Sequence, residues 1–204
     1  MRYSLICAVL LGATPLAAAA QPAAAPSTQA PQDDLVKVAL ETEAGRIVVA
    51  VDRGRAPVTS ANFLRYVDSK RLDGINFYRA MKLWEGTGLV QAGVRDGRKL
   101  YPPIAHEPTN QTGIRHEDGT ISMARTTPGS AQGDFFITIG GFDAGTGQKG
   151  DDLGFAAFGR VVEGMDVVRK LLQAPVSPTN GEREGMKGQM LEPPVKVINA
   201  ERLK

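Results

Sequence analysis

The sequence predicts a mainly β protein, a closed antiparallel β-barrel of about eight short strands that is capped by two helices. Short apolar or alternating runs recur along the chain, and glycine and proline clusters separate them, which is typical of antiparallel sheet. Only two stretches have the apolar spacing of an amphipathic helix. Many short strands with few helices favour closure of the sheet into a barrel.

Eight runs have the length and residue types of strands. Residues 36–40 and 47–51 form the first pair, and the turn between them at residues 43–46 contains Gly45, whose backbone is permissive. The other six runs are residues 76–81, 88–92, 120–125, 134–139, 155–161 and 195–200.

Two helices are predicted. The first opens at Pro57, because proline is favoured near the first helical position, and Phe63 and Val67 lie on its apolar stripe. The second covers residues 165–173, and Pro175 prevents it from continuing.

The first 34 residues are predicted to lie outside the folded domain. Residues 1–20 combine Arg2, a short apolar run and small residues before Gln21, which is typical of a cleavable signal peptide. An uncleaved anchor is the alternative, but the run is too short to span a bilayer. Residues 21–34 are rich in Ala and Pro and predict a disordered leader. One domain, residues 35–204, remains, and the expected location is the periplasm.

Composition argues against several classes of function. Cys7 is the only cysteine and lies within the predicted signal peptide, so the mature chain would have no disulfide and no thiol nucleophile. A net charge of +2 without a long basic run argues against nucleic acid as a partner. No later stretch is apolar enough to insert into a membrane. His106 and His116 lack metal-ligand spacing, and nucleotide-binding and nucleophile-elbow motifs are absent from the sequence.

Two loops have unusual composition. Residues 140–152 contain five glycines and three acidic residues, but they lack the spacing and terminal Glu of an EF-hand calcium loop. Residues 179–191 form a polar, glycine-rich insertion, which favours a solvated loop.

Five short motifs follow one another in order. They are Asn-Phe-Tyr-Arg-Ala at 76–80, Leu-Val-Gln-Ala-Gly at 89–93, Gly-Thr-Ile-Ser-Met-Ala-Arg at 119–125, Ser-Ala-Gln-Gly-Asp-Phe-Phe-Ile at 130–137 and Phe-Gly-Arg-Val-Val-Glu-Gly-Met at 158–165. In this order and with this spacing between them, the motifs make the chain resemble the cyclophilin family of peptidyl-prolyl cis–trans isomerases over residues 36–203. The resemblance implies a cyclophilin-like barrel that acts on proline-containing polypeptides during the folding of exported proteins. It also implies a monomer without metal or cofactor.

The implied reaction needs no nucleophile. Resonance keeps an X-Pro amide planar with a barrier of about 18–20 kcal/mol, and uncatalysed exchange takes roughly tens to hundreds of seconds. A cationic donor that stabilises the twisted amide and an apolar pocket that holds the proline ring are sufficient.

The resemblance assigns the catalytic role to Arg79, whose guanidinium is permanently charged and rigid, and to Gln91, which positions Arg79 or the substrate backbone. Phe136 matches the floor of the proline pocket, whereas Phe135 should face the core, because neighbouring residues on a strand alternate. The predicted substrate contacts are Phe77, Leu89, Met123, Asp134, Phe136, Phe155 and Trp84.

The chain departs from the family pattern beside the pocket. Residues 81–88 make the segment between Arg79 and Gln91 longer than usual, and Leu89 stands where an aromatic wall is expected. Trp84 in this segment either folds back to replace that wall or packs on the surface.

Other departures change single contacts. Asp134 stands where many members have Gln, and it either orients Arg79 or neutralises it by pairing. Phe155 replaces His or Tyr, so one polar contact is lost. Tyr78 replaces the usual His, with little catalytic consequence expected. Met123 either flanks the pocket or only packs in the core.

Three functions therefore remain open. Retained Arg79, Gln91 and Phe136 favour an active isomerase. The altered pocket and Asp134 would suit a catalytically weak peptide-binding or chaperone module. A protein that docks a partner through residues 81–88 or 179–191 is the third possibility.

Overall fold

The computed structural model describes residues 34–84, 86–141, 153–183 and 185–204. The strands of the described residues are β1 (Leu35–Thr42), β2 (Gly45–Asp52), β3 (Asn76–Lys82), β4 (Gly88–Gly93), β5 (Thr120–Met123), β6 (Asp134–Ile139), β7 (Ala156–Glu163) and β8 (Met190–Arg202). These eight antiparallel strands close into one barrel in the order β1-β2-β7-β5-β6-β4-β3-β8, which confirms the predicted fold class.

The two predicted helices are present as α1 (Pro57–Asp68) and α3 (Met165–Gln173), and a one-turn helix α2 (Thr109–Thr112) lies between them in the chain. Helix α3 lies against β2, β3 and β4, where Leu171 and Leu172 are buried. None of the helices in the described part of the chain has the length and apolarity needed to cross a bilayer.

Strand bounds lie within two residues of prediction except at the start of β8. Strand β5 ends at Met123, and beyond it Arg125 donates from Nε to the carbonyl oxygen of Gly154 at 3.0 Å. Strand β8 begins at Met190, five residues earlier than the sequence predicts. Pro193 and Pro194 lie within this added stretch, although proline has no N–H to donate to a sheet. Proline is tolerated at an irregularity, and the pairing of β8 with β3 shifts register across these residues.

The barrel interior is filled by aromatic rings. Phe135 of β6 meets the ring of Phe63 edge-on at 5.4 Å between centroids and the ring of Phe77 at 6.2 Å. Phe63 projects from α1 and also contacts Phe158 of β7 at 5.2 Å. Such edge-on pairs add to the free energy of burial. The predicted inward orientation of Phe135 is confirmed, and α1 caps one end of the barrel through Phe63.

A buried carboxylate holds the first turn of α1. The residue before the helix is Ala56, which offers no side-chain cap. Instead, Glu107 accepts hydrogen bonds from the backbone N–H of Val58 at 3.0 Å and from the backbone N–H and hydroxyl of Thr59 at 2.7 and 2.6 Å. A negative charge at a helix N-terminus is favourable, because the first N–H groups have no intrahelical partner. The helix that closes the barrel therefore depends on a residue far along the chain.

Candidate active site

Two parallel rows of side chains cross the same four strands. One row runs through Phe77, Ala92, Phe135 and Met123, which pair in turn across β3, β4, β6 and β5 and all belong to the core. The adjacent row is made of Arg79, Gln91, Phe136 and Ser122, paired across the same strands. Because neighbouring residues on a strand face opposite sides, this second row lies on the outer face of the barrel.

A β-bulge at Tyr78 makes this arrangement possible. In a regular strand residues 77 and 79 would face the same side, and Arg79 would then point into the core. The register between β3 and β4 shifts between Phe77 and Arg79, so Tyr78 is an extra residue without its own partner. Bulges re-aim side chains in this way. The bulge turns Phe77 inward and Arg79 outward.

Arg79 is held by protein acceptors on three sides. Its Nε donates to Oε1 of Gln189 at 2.8 Å, its Nη1 donates to Oε1 of Gln91 at 2.9 Å, and its Nη2 lies 3.2 Å from Sδ of Met81. A guanidinium has five N–H donors, so two remain, one on each Nη. Burial lowers the pKa of Arg79, but an arginine side chain stays charged in proteins. The geometry leaves a fixed cation with donors for a ligand.

A hydrogen-bonded chain continues from Gln91 to the rim of the site. Gln91 donates from Nε2 to the hydroxyl of Tyr78 at 2.6 Å, and that hydroxyl donates to Oδ2 of Asp134 at 2.7 Å. Arg95, at the exposed end, has Nη1 3.4 Å from the same carboxylate oxygen. Tyr78, which was expected to matter little, therefore joins Gln91 to Asp134.

Asp134 does not contact Arg79 directly, which differs from both expectations for this residue. The hydrogen bonds connect the carboxylate to Arg79 only through the Tyr78 hydroxyl and the Gln91 amide. Gly93 pairs with Asp134 across β4 and β6, and a Cβ at Gly93 would lie 1.8 Å from Oδ1 of Asp134. The absent side chain at Gly93 is what lets the carboxylate lie over the strand toward Tyr78.

Burial shifts both members of the Tyr78–Asp134 pair toward their protonated forms. It raises the pKa of the Tyr78 hydroxyl, and the neighbouring Asp134 charge raises it further. Burial likewise raises the pKa of Asp134, although the hydrogen bond from Tyr78 and the charge of Arg95 oppose that rise. Tyr78 is therefore a neutral donor at neutral pH.

The raised pKa of Asp134 predicts a pH-dependent stability. The folded state binds the Asp134 proton more tightly than the unfolded state does, so ionisation of this group costs folding free energy. Relative to Asp134→Asn, the free energy of unfolding of the wild type should fall as pH rises from about 4, the ordinary carboxyl range, through the raised folded-state pKa. Urea unfolding of both proteins across this range measures the difference.

Gln173→Met, on the exposed face of α3, removes no titratable group and provides the control, so its difference from the wild type should stay constant over the same range. A wild-type advantage over Asp134→Asn that grows with pH would contradict this prediction, because it would require a lowered pKa.

Aromatic rings cover the other half of the outer row. Phe136 stacks on His116 with centroids 6.0 Å apart and planes 10° apart, and it meets Phe155 edge-on at 5.2 Å. His116 Nε2 lies 3.0 Å from the hydroxyl oxygen of Ser122. Phe136 is only 2% exposed. The predicted pocket floor is thus beside Arg79 and Gln91 but is covered by neighbouring rings.

The structure brings most of the predicted site residues together and separates three of them. Arg79, Gln91, Leu89, Asp134, Phe136 and Phe155 lie on or beside the outer row. Phe77 and Met123 do not fit the predicted role of substrate contacts, because they lie in the inner row and pack in the barrel core. Trp84 does not fold back as a pocket wall, because 60% of it is exposed in the β3–β4 turn.

Sequence reasoning missed Gln189 and His116 as site residues. Gln189 belongs to the insertion at residues 179–191, which was interpreted as a solvated loop. That interpretation is wrong for the end of the insertion, because the Gln189 carbonyl oxygen accepts from Ala80 N–H at 2.8 Å. His116 was considered only as a metal ligand. Among the described residues, no group of three or more His, Cys, Asp or Glu side chains could hold a metal ion. Residues 142–152 of the other unusual loop lie outside the described residues.

A fixed cation with two remaining donors, next to an aromatic floor, suits a ligand that has a carbonyl oxygen and an apolar ring. Placed on the outside of a closed barrel, such a site defines a class of peptide-binding β-barrel protein that needs no nucleophile.

Comparison with known proteins identifies the family. The family model for cyclophilin type peptidyl-prolyl cis-trans isomerases matches residues 37–201, so the chain belongs to this family, as the motifs predicted, and its enzyme class is peptidyl-prolyl cis–trans isomerase. Two bacterial relatives are the peptidyl-prolyl cis-trans isomerase cyp18 of Streptomyces antibioticus, 36% identical over 72% of this chain and 89% of the relative, and the peptidyl-prolyl cis-trans isomerase A of Dickeya dadantii, 38% identical over 67% and 70%.

A solved structure shows the same fold. A cyclophilin type peptidyl-prolyl cis-trans isomerase of Cryptosporidium parvum superposes with a TM-score of 0.63 at 16% identity, over 83% of this chain and 98% of that protein. A second structure of that protein, in the presence of the dipeptide Ala-Pro, gives a TM-score of 0.61 at 16% identity, over 82% and 99%.

Proposed function

We propose that this isomerase catalyses X-Pro rotation in exported polypeptides, with Arg79 and Gln91 as its catalytic residues and Phe136 as the floor of its proline site. The observation that carries the proposal is the fixed Arg79 guanidinium, which has two N–H groups left for substrate and lies in the same outer row as the aromatic floor. The Ala-Pro dipeptide used with the Cryptosporidium parvum protein supports proline-containing peptides as the ligand class.

The proposed mechanism is electrostatic. As the X-Pro amide twists, resonance is lost, so the carbonyl oxygen loses part of its negative charge and the prolyl nitrogen gains a basic lone pair. An Nη–H of Arg79 that donates to this nitrogen stabilises the twisted amide more than the planar one, which is the condition for catalysis. Gln91 keeps the guanidinium in place, so little reorganisation is needed at the transition state.

Export is supported by the sequence alone. Residues 1–20 have the composition of a signal peptide, and their removal after Ala20 would leave a cysteine-free monomer suited to an oxidising compartment such as the periplasm. Amino-terminal sequencing of the protein from a periplasmic extract tests this proposal. A full-length chain that stays in the cytoplasm would rule it out.

A catalytically weak peptide-binding module is the second candidate. The observation that favours it is the covered floor, because Phe155 and His116 both contact Phe136. A proline ring could therefore contact Phe136 fully only if a neighbouring side chain moves.

The deciding experiment is an isomerase assay with the chain from about residue 34 to its end on a set of X-Pro peptides. Acceleration of cis–trans exchange above the uncatalysed rate supports the isomerase. Peptide binding without acceleration, by a protein that unfolds cooperatively in urea, supports the second candidate instead.

A further inference from the structure

The loop between α3 and β8 is folded onto the active-site edge of the barrel. Ser177 N–H donates to the Met190 carbonyl at 2.8 Å, and Met186 N–H donates to the Gly181 carbonyl at 2.7 Å. Gly181 has φ +83°, and a Cβ there would lie 2.7 Å from Cγ of Met190. These contacts hold residues 177–181 and 186–190 together in a compact turn.

The loop delivers one side chain to the catalytic arginine. Met190 pairs with Arg79 across β8 and β3, and the preceding Gln189 carbonyl accepts from the N–H of Ala80. The backbone on both sides of the Gln189 side chain is therefore fixed to β3. From there Oε1 of Gln189 accepts from Nε of Arg79 at 2.8 Å.

The two oxygen acceptors of Arg79 are complementary. Gln91 on β4 binds Nη1, and Gln189 on the opposite side binds Nε, so the guanidinium plane is fixed at two edges. A single hydrogen bond would leave rotation about the long side chain, which has many rotamers. With both bonds in place, the remaining donors on Nη1 and Nη2 have a defined direction.

Both oxygen acceptors are uncharged amides. A carboxylate at the position of Gln189 would form a bidentate or end-on ion pair and reduce the positive field available to a substrate. The nearby acid, Asp134, is separated from Arg79 by Tyr78 and Gln91. The site therefore fixes the cation without neutralising it.

We propose that Gln189, from the loop between α3 and β8, is a positioning residue that holds the guanidinium of Arg79 for catalysis. The inference rests on the proposed function of Arg79. It makes the loop a part of the active site and not a solvated insertion.

Gln189→Met, which keeps the length of the side chain and removes the acceptor, tests the proposal in the X-Pro peptide assay. Loss of one fixing hydrogen bond should lower kcat/KM about five-fold, mainly through kcat, because Arg79 acts on the twisted amide. Gln173→Met on the exposed face of α3 is the matched control and should retain wild-type activity. Gln189→Met activity equal to that of the control would overturn the proposal.

A double-variant cycle separates positioning from a general structural role. In an Arg79→Ala background, Gln189→Met should cause no further loss, since its effect passes through Arg79. The same five-fold loss in that background would overturn the proposal. Gln189→Glu keeps an acceptor and adds a charge, so its kcat/KM should fall as the new carboxylate ionises with rising pH. A pH profile parallel to that of the wild type would also count against it.

The catalytic role of Arg79 and the positioning role of Gln189 can be rejected separately. An Arg79→Ala protein as active as the wild type would reject the proposed function. An inactive Arg79→Ala protein with an unaffected Gln189→Met protein would reject only the role of Gln189. The Nε–H signal of Arg79 in the NMR spectrum gives a readout without turnover, and it should shift in Gln189→Met and not in Gln173→Met.

Discussion

Arg79→Ala is expected to lower kcat/KM for X-Pro peptides at least tenfold, which corresponds to about 1.4 kcal/mol of transition-state stabilisation. The variant removes the only group in the outer row that is both cationic and provided with remaining donors toward a substrate. Peptide binding should change less than turnover, because the guanidinium is expected to interact most strongly with the twisted amide. Exchange kinetics at several peptide concentrations separate kcat from KM.

Arg79→Lys is the informative companion to this variant. Lysine keeps the charge but lacks the planar fork that engages Gln91 and Gln189 together. Its activity should therefore lie between those of the alanine variant and the wild type. Full activity of Arg79→Lys would show that charge alone suffices, and full activity of Arg79→Ala would remove Arg79 from the mechanism.

Phe135→Ala is expected to lower the free energy of unfolding by about 3–5 kcal/mol. The Phe135 side chain is 1% exposed and lies between the rings of Phe63 and Phe77, so its removal leaves a cavity at the centre of the barrel. A loss of this size is a large part of the stability of an ordinary domain. Urea unfolding should show a lower midpoint, measured beside the wild type under the same conditions.

Ile198→Ala is the matched control for the core variant. Ile198 lies on β8 with its side chain exposed, so its truncation should change the free energy of unfolding by no more than about 0.5 kcal/mol. Equal midpoints for the two variants would mean that Phe135 does not organise the core.

Local pattern was enough to locate the elements of the fold. Alternation and turn residues placed all eight strands, and apolar spacing located α1 and α3, because these signals depend on neighbours in sequence. The errors fall where contacts between distant parts of the chain, and not neighbours in sequence, determine the structure. The start of β8 depends on an irregular pairing with β3 around Pro193 and Pro194, and proline alone would have argued for a loop.

The candidate site was predicted only in part, because contacts between distant parts of the chain also shape it. Motif matching identified Arg79, Gln91 and Phe136. A motif match does not show which side of its strand a residue faces, so Phe77 and Met123 were included although they belong to the inner row. The bulge at Tyr78 has no signal in the alternation of the sequence. Gln189 lies 110 positions from Arg79 and reaches it only through tertiary folding. The roles of the site residues and the export of the chain remain predictions.

The position of β8 also affects the nascent chain during its synthesis. The barrel closes by placing its last strand between β1 and β3, so a nascent chain that has emerged only as far as residue 189 leaves the edges of both strands unpaired. Unpaired edges are sites of association with other chains. We therefore expect chains that end before Met190 to aggregate, or to be bound by chaperones and degraded by proteases.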